Sequence, residues 1–88
     1  MQVAKVIGNV VATQKNERLN GHKLLLVAPF EPREGTYGPT RVAVDEVGAG
    51  NGEMVLLVGG SSARNQFSMD APIDLAIVGI IDEIEMSS

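Results

Sequence analysis

From Val3 to Thr13 the chain alternates in character. Ala4, Val6, Val10 and Ala12 share one parity while Lys5, Asn9 and Thr13 lie on the other, a period of two that predicts a strand with one buried face. Val3, Ile7 and Val11 add apolar groups to the second face, so that face is expected to be covered too, by a neighbouring subunit. Gly8 in the middle of the run predicts a bulge or a barrel corner. His22–Ala28, HKLLLVA, is by contrast a continuous apolar run between Gly21 and Pro29. That is the pattern of a strand covered on both faces, with the proline as its stop.

Two further apolar runs flank a glycine-rich turn. Val42–Val47 is short and β-branched, Gly48, Gly50 and Gly52 follow within a few residues, and Glu53–Val58 returns as a second β-rich run. The expected arrangement is a hairpin with a loop of about four or five residues. A Gly-x-Gly after a strand also begins a dinucleotide-binding fingerprint, but that fingerprint needs a helix next, and Met54–Val58 is β-rich and too short. Gly59-Gly60-Ser61-Ser62 then opens a polar stretch in which Ser61 or Ser62 is placed to cap one short helix running to about Gln66. Ile73–Asp82 is the last strand, with Gly79 repeating the mid-strand glycine of Gly8. Gln14–Gly21, Phe30–Thr40 and Phe67–Pro72 are polar, proline- or glycine-bearing connectors, and Asp82–Ser88 is an exposed acidic tail. Phe30 and Tyr37 are expected to pack their loop onto the body of the fold. Five strands, one short helix and kinking glycines predict an all-β fold, a small five-stranded OB-like barrel, in a single domain over residues 1–88.

Composition sharpens the picture. The chain has 88 residues, of which 44% are apolar. A domain this short buries only about 60–65% of its unfolded surface. Apolar surface is therefore left over, and self-assembly is the economical way to cover it. With 7 basic and 11 acidic residues the net charge is −4, and the basic residues are scattered. Phosphate binding by counterion release needs clustered cations, and three aromatic residues, Phe30, Tyr37 and Phe67, make no base-stacking platform. No nucleic-acid partner is expected. The N-terminus lacks a signal-peptide layout and no apolar run approaches the roughly 18 residues of a membrane span, so a soluble intracellular protein without a membrane partner is expected.

Candidate chemistry is sparse. There is no cysteine and one histidine, His22, which beside Gly21 is expected to be a solvated turn residue. A serine nucleophile would need a base within reach, and no Gly-x-Ser-x-Gly elbow is present. The adjacent acids Asp45-Glu46 and Asp82-Glu83 point to opposite faces when in strands and are expected to be solvated. No cofactor and no enzymatic activity are expected.

Three segments taken together, VIGNVVATQKNERLNGHKLLLV (Val6–Val27), VAVDEVGAGNGEMVLLVGGSSAR (Val42–Arg64) and APIDLAIVGIIDEI (Ala71–Ile84), resemble the EutN/CcmL family of bacterial microcompartment vertex proteins. The resemblance runs over nearly the whole chain. It implies an OB-like barrel that assembles into a homopentamer and closes the five-fold vertices of a cytoplasmic polyhedral shell, a metabolosome or a carboxysome, beside hexameric and pseudohexameric shell proteins. Matching the family motifs are Gly48, Ala49, Gly50, Gly52 and Glu53, then Ser61, Ser62, Ala63 and Arg64, which the resemblance places near subunit contacts or the mouth of the five-fold axis. Thr13, Lys15, Gly21, Lys23 and Leu24 match as well and are expected to shape the first hairpin, whereas Phe30–Thr40 matches no family motif. The competing reading is a monomeric or dimeric OB-type ligand-binding module.

Overall fold

The computed structural model describes residues 1–12, 21–60 and 74–87. Its strands are β1 (Gln2–Val10), β2 (Lys23–Glu31), β3 (Thr36–Tyr37), β4 (Arg41–Asp45), β5 (Met54–Gly59) and β6 (Leu75–Ile81). Five of them close on themselves. β1 pairs with β2, β2 with β4, β4 with β6, β6 with β5, and β5 again with β1. All of these pairings are antiparallel except β4–β6, which is parallel at Val44↔Ala76 and Asp45↔Ile77. The two-residue β3 adds only to the end of β2. The five-stranded barrel is thus as the alternation and glycine kinks predict, and the expected helix over Ser61–Gln66 lies outside the described residues.

Side chains pointing inward fill the barrel. Leu25, Leu57, Ile77, Val6, Val27 and Val55 are fully buried, and Ala4, Ala43 and Ala49 fill the narrower gaps between them. Each large side chain so buried contributes about 1.5–3 kcal/mol. A second cluster, Val44, Val58 and Ala76 with the half-buried Leu24 and Val78, forms on the outer surface of the same strands. Leu24 and Leu26 of β2 are only half-buried in one chain, so the outer face of this apolar run is less covered than its sequence suggests.

Both mid-strand glycines sit at bulges. The β1–β2 register runs Val6↔Val27 and then Gly8↔Leu26, leaving Ile7 unpaired, and the β5–β6 register skips Val78 between Leu57↔Ile77 and Leu56↔Gly79. An extra residue raises local twist and bends the strand, which is how a short sheet closes into a barrel. The bulge also reverses the facing of everything after Ile7. Val10 pairs with Leu24 on the outer surface and is half-buried, and Ala12 is exposed, contrary to the burial that a constant alternation assigns them.

Three sequence expectations need correction. Pro29 does not end β2, which runs on to Glu31; the proline occupies the terminal pair with Ala4, and its carbonyl accepts a hydrogen bond from the Gly38 N–H at 2.8 Å. Phe30–Thr40 is a small hairpin rather than an irregular loop. Phe30 pairs with Tyr37, their ring centroids 4.9 Å apart, and Gly35, at φ 68°, donates its N–H to the Glu31 carbonyl at 2.8 Å. Third, β4 and β5 are not a hairpin. β6 lies between them, because the glycine-rich segment carries the chain across the barrel mouth to β1 instead of turning it back onto β4.

Candidate functional site

That crossing is organised by one carboxylate. Asp45 ends β4 with only 8% of its surface exposed. Its Oδ1 accepts the backbone N–H groups of Val47 at 3.0 Å and Gly48 at 3.1 Å, and its Oδ2 accepts that of Ala49 at 2.9 Å. An aspartate that bonds amides ahead of it in the chain imitates a backbone turn, and the ionised acceptor makes these bonds stronger than neutral ones. Lys23 completes the arrangement from the start of β2. Its Nζ donates to the Ala49 carbonyl at 3.2 Å and lies 3.7 Å from Asp45 Oδ2. Of the pair Asp45-Glu46, both expected to be solvated, only Glu46 is exposed.

The consequence is seen at Ala49. It is 1% exposed and belongs to the core cluster, so the loop tucks a methyl group into the end of the barrel. Gly48 and Gly52 flank this inward step with φ of 79° and 88°, a region in which any Cβ is strained. Beyond it the Gly50 N–H donates to Glu53 Oε1 at 2.6 Å, and the Glu53 N–H returns to the Gly50 carbonyl at 3.1 Å. The Gly52 N–H then reaches the Val6 carbonyl at 2.8 Å, and the Val6 N–H reaches the Glu53 carbonyl at 2.9 Å, which hands the loop into the β1–β5 ladder.

Gly48, Ala49, Gly50, Gly52 and Glu53 are thus brought together at one mouth of the barrel. Ser61, Ser62, Ala63 and Arg64 lie outside the described residues; the chain leads into them from Gly60, at the far end of β5, where the Gly60 N–H donates to the Asp74 carbonyl at 3.0 Å. Sequence reasoning missed Asp45 and Lys23 as partners of the loop. The available signal was an aspartate three residues before a glycine, the spacing of a side-chain-capped turn. No helix follows Gly52 to face a phosphate, because Met54–Gly59 is a strand. His22 is half-buried just before β2 rather than fully solvated.

The opposite mouth holds an open cleft of about 390 Å³ lined by Met1, Gln2, Arg41, Leu57, Asp74 and Leu75 among others. Among the described residues no group of three or more metal-ligating side chains converges, and no helix is long and apolar enough to cross a membrane. What the surface does offer is apolar area. Val11 is 90% and Val42 48% exposed, and Ile7, Ile80, Ile84 and Met86 are exposed too.

A family model described as "Ethanolamine utilisation protein EutN/carboxysome" matches residues 1–82. The bacterial microcompartment shell vertex protein GrpN of Rhodospirillum rubrum (strain F11) is 52% identical over 86 residues, covering 97% of either chain. The shell vertex protein PduN of Salmonella typhimurium (strain LT2) is 53% identical over 90 residues, covering 96% of this chain and 98% of the relative. A solved structure described as a GrpN pentameric microcompartment shell protein from Rhodospirillum rubrum superposes with a TM-score of 0.88 at 52% identity, covering 99% of this chain and 100% of that one. With the barrel, the loop across its mouth and matches over almost its full length, the chain belongs to the EutN/CcmL family.

Proposed function

We propose that this protein is a structural shell component, five copies of which form a ring that occupies a five-fold vertex of a bacterial microcompartment in the cytoplasm. The observation that carries this reading is the near-complete superposition on a shell protein described as pentameric. The exposed apolar residues of the single chain support it, since a ring gives them something to cover them. Residues 1–88 act as one vertex-type domain. The role is geometric rather than catalytic: hexameric and pseudohexameric shell proteins tile the facets, and a pentagonal unit supplies the closure that hexagons lack.

In this reading the loop of Gly48, Ala49, Gly50, Gly52 and Glu53 lies near a subunit contact or the mouth of the five-fold axis, and the motif extends the same role to Ser61, Ser62, Ala63 and Arg64. Gly50 offers a test, because a large side chain there would project from the loop that this reading sets near a neighbour, while among the described residues of its own chain its Cβ meets only the flexible Glu53 carboxylate at 3.2 Å. Gly50→Trp is expected to prevent ring assembly while the barrel retains its circular-dichroism spectrum; a normal ring would show that the loop stands free of neighbours. The primary experiment is native mass spectrometry. Five 9.3 kDa chains give a species of about 46.5 kDa. A monomer or dimer at all concentrations would refute the ring and favour an OB-type ligand-binding module instead.

A further inference from the structure

The tail after β6 has a pattern that the barrel does not use. Ile84 and Met86 alternate with Glu83 and Glu85, a period of two that suits a strand with one covered face. Both apolar side chains are exposed, and among the described residues no backbone hydrogen bond involves residues 82–87. The segment is thus amphipathic in sequence and, among the described residues, unpaired. It leaves the barrel at the mouth crossed by the glycine loop, since its last paired residue, Ile81, faces Met54.

At the same mouth β1 offers a complementary edge. Its ladder with β5 stops at Lys5↔Met54, the Gly52 and Glu53 backbone takes up Val6, and from Gly8 to Val10 the strand is paired, among the described residues, with β2 alone. Ile7 and Val11 stand exposed on either side of this half-paired stretch. An unpaired edge flanked by apolar side chains is a template for another strand, and natural folds cover or blunt such edges. Charge is compatible too. Residues 1–12 contain no acid, and Lys5 has no carboxylate partner among the described residues, whereas the tail carries Asp82, Glu83 and Glu85.

We propose that residues 82–86 of one copy pair along the Gly8–Val10 edge of the next copy, with Ile84 set between Ile7 and Val11 and Met86 against one of them. This inference rests on the ring proposed above and specifies how its subunits are joined. Tail and edge are different surfaces at the same height on the barrel. A contact between two different patches of identical chains is head-to-tail, and repeated around an axis it closes a ring.

The chain has no cysteine, which makes cross-linking clean. A Val11→Cys, Ile84→Cys double variant treated with a short bismaleimide is expected to give a ladder of covalent species ending at the pentamer, while a mixture of the two single variants stops at covalent dimers. Removal of residues 83–88, of which 83–87 are exposed, is expected to leave the circular-dichroism spectrum unchanged and to raise the concentration at which the ring dissociates by at least about tenfold. An intact ring that yields only intrachain cross-links, or a truncated chain whose ring dissociates at the full-length concentration, would overturn the tail contact and leave the ring standing. A full-length chain that never forms a ring would overturn both.

Discussion

Asp45 shows what a single residue does here. Its carboxylate serves three amides, one of them at the buried Ala49, and removing it leaves those donors short of partners. Bonds to a charged acceptor are worth about 1.5–3 kcal/mol, and an orphaned buried donor costs about 1–3 kcal/mol. Asp45→Ala should therefore destabilise the protein by about 3 kcal/mol in urea unfolding. Lys23→Met should cost less than about 1 kcal/mol, because the lysine side chain is 57% exposed and an ion pair in water contributes little. Equal losses from the two variants would refute the carboxylate as the organiser. None of this was legible while Asp45-Glu46 counted as two acids in a strand. Burial of one acid depends on what the following four residues do in space, and composition does not record that. Ala49 was equally hidden: between glycines it resembles a loop residue, and only the inward step between Gly48 and Gly52 makes it core. Gly48 and Gly52 themselves were legible as chain-reversing glycines, and at Gly52, with φ 88° and open space around it, Gly52→Ala should cost about 1–2 kcal/mol from backbone strain alone.

At the level of elements, the bulges were readable and the pairing was not. Gly8 and Gly79 stand where both registers slip, as a glycine in the middle of a strand suggests. The partner of β4 could not be found the same way. Local signals describe a turn and two strands, and they cannot distinguish a hairpin from two strands separated by a third that arrives about thirty residues later in the chain; adjacency in sequence is only a common prior. Pro29 misled for a related reason, since a proline stops a strand only where its missing N–H is needed, and at the last pair of the β1–β2 ladder it is not. The hairpin beyond Pro29 is the most separable element. It is held by the Phe30–Tyr37 pair and by the Gly35 and Gly38 amides, outside the barrel core. Tyr37→Ala should remove about 0.5–1.5 kcal/mol of ring contact and accelerate hydrogen exchange at Gly35 and Gly38 while leaving Val6 and Val55 protected. Loss of protection at Val55 as well would show that the hairpin is part of the barrel's cooperative unit.

For the whole molecule, the sequence showed a barrel and an excess of apolar residues, and the structure shows where that excess goes. The described residues build an inner core within one chain, while Val11, Val42 and the tail present apolar groups to water. A domain of this length is marginal on its own, because the fraction of surface it buries is small. If the ring covers this surface, folding and assembly are linked, and anything that binds the folded chain but not the unfolded one raises its apparent stability by mass action. The melting temperature should then climb with protein concentration, by several degrees over a hundredfold range, and the dissociated chain should unfold well below the ring. Scanning calorimetry over such a dilution series, with native mass spectrometry at each point, makes the comparison. The expected sign is fixed: dissociation releases five particles, so dilution always favours the unfolded side. A melting temperature that stays constant from ring-forming to dissociating concentrations would mean that the apolar surface is not buried on assembly. In the proposed shell, that surface would then meet other shell proteins instead, and stability should rise on adding those proteins rather than on concentrating the chain.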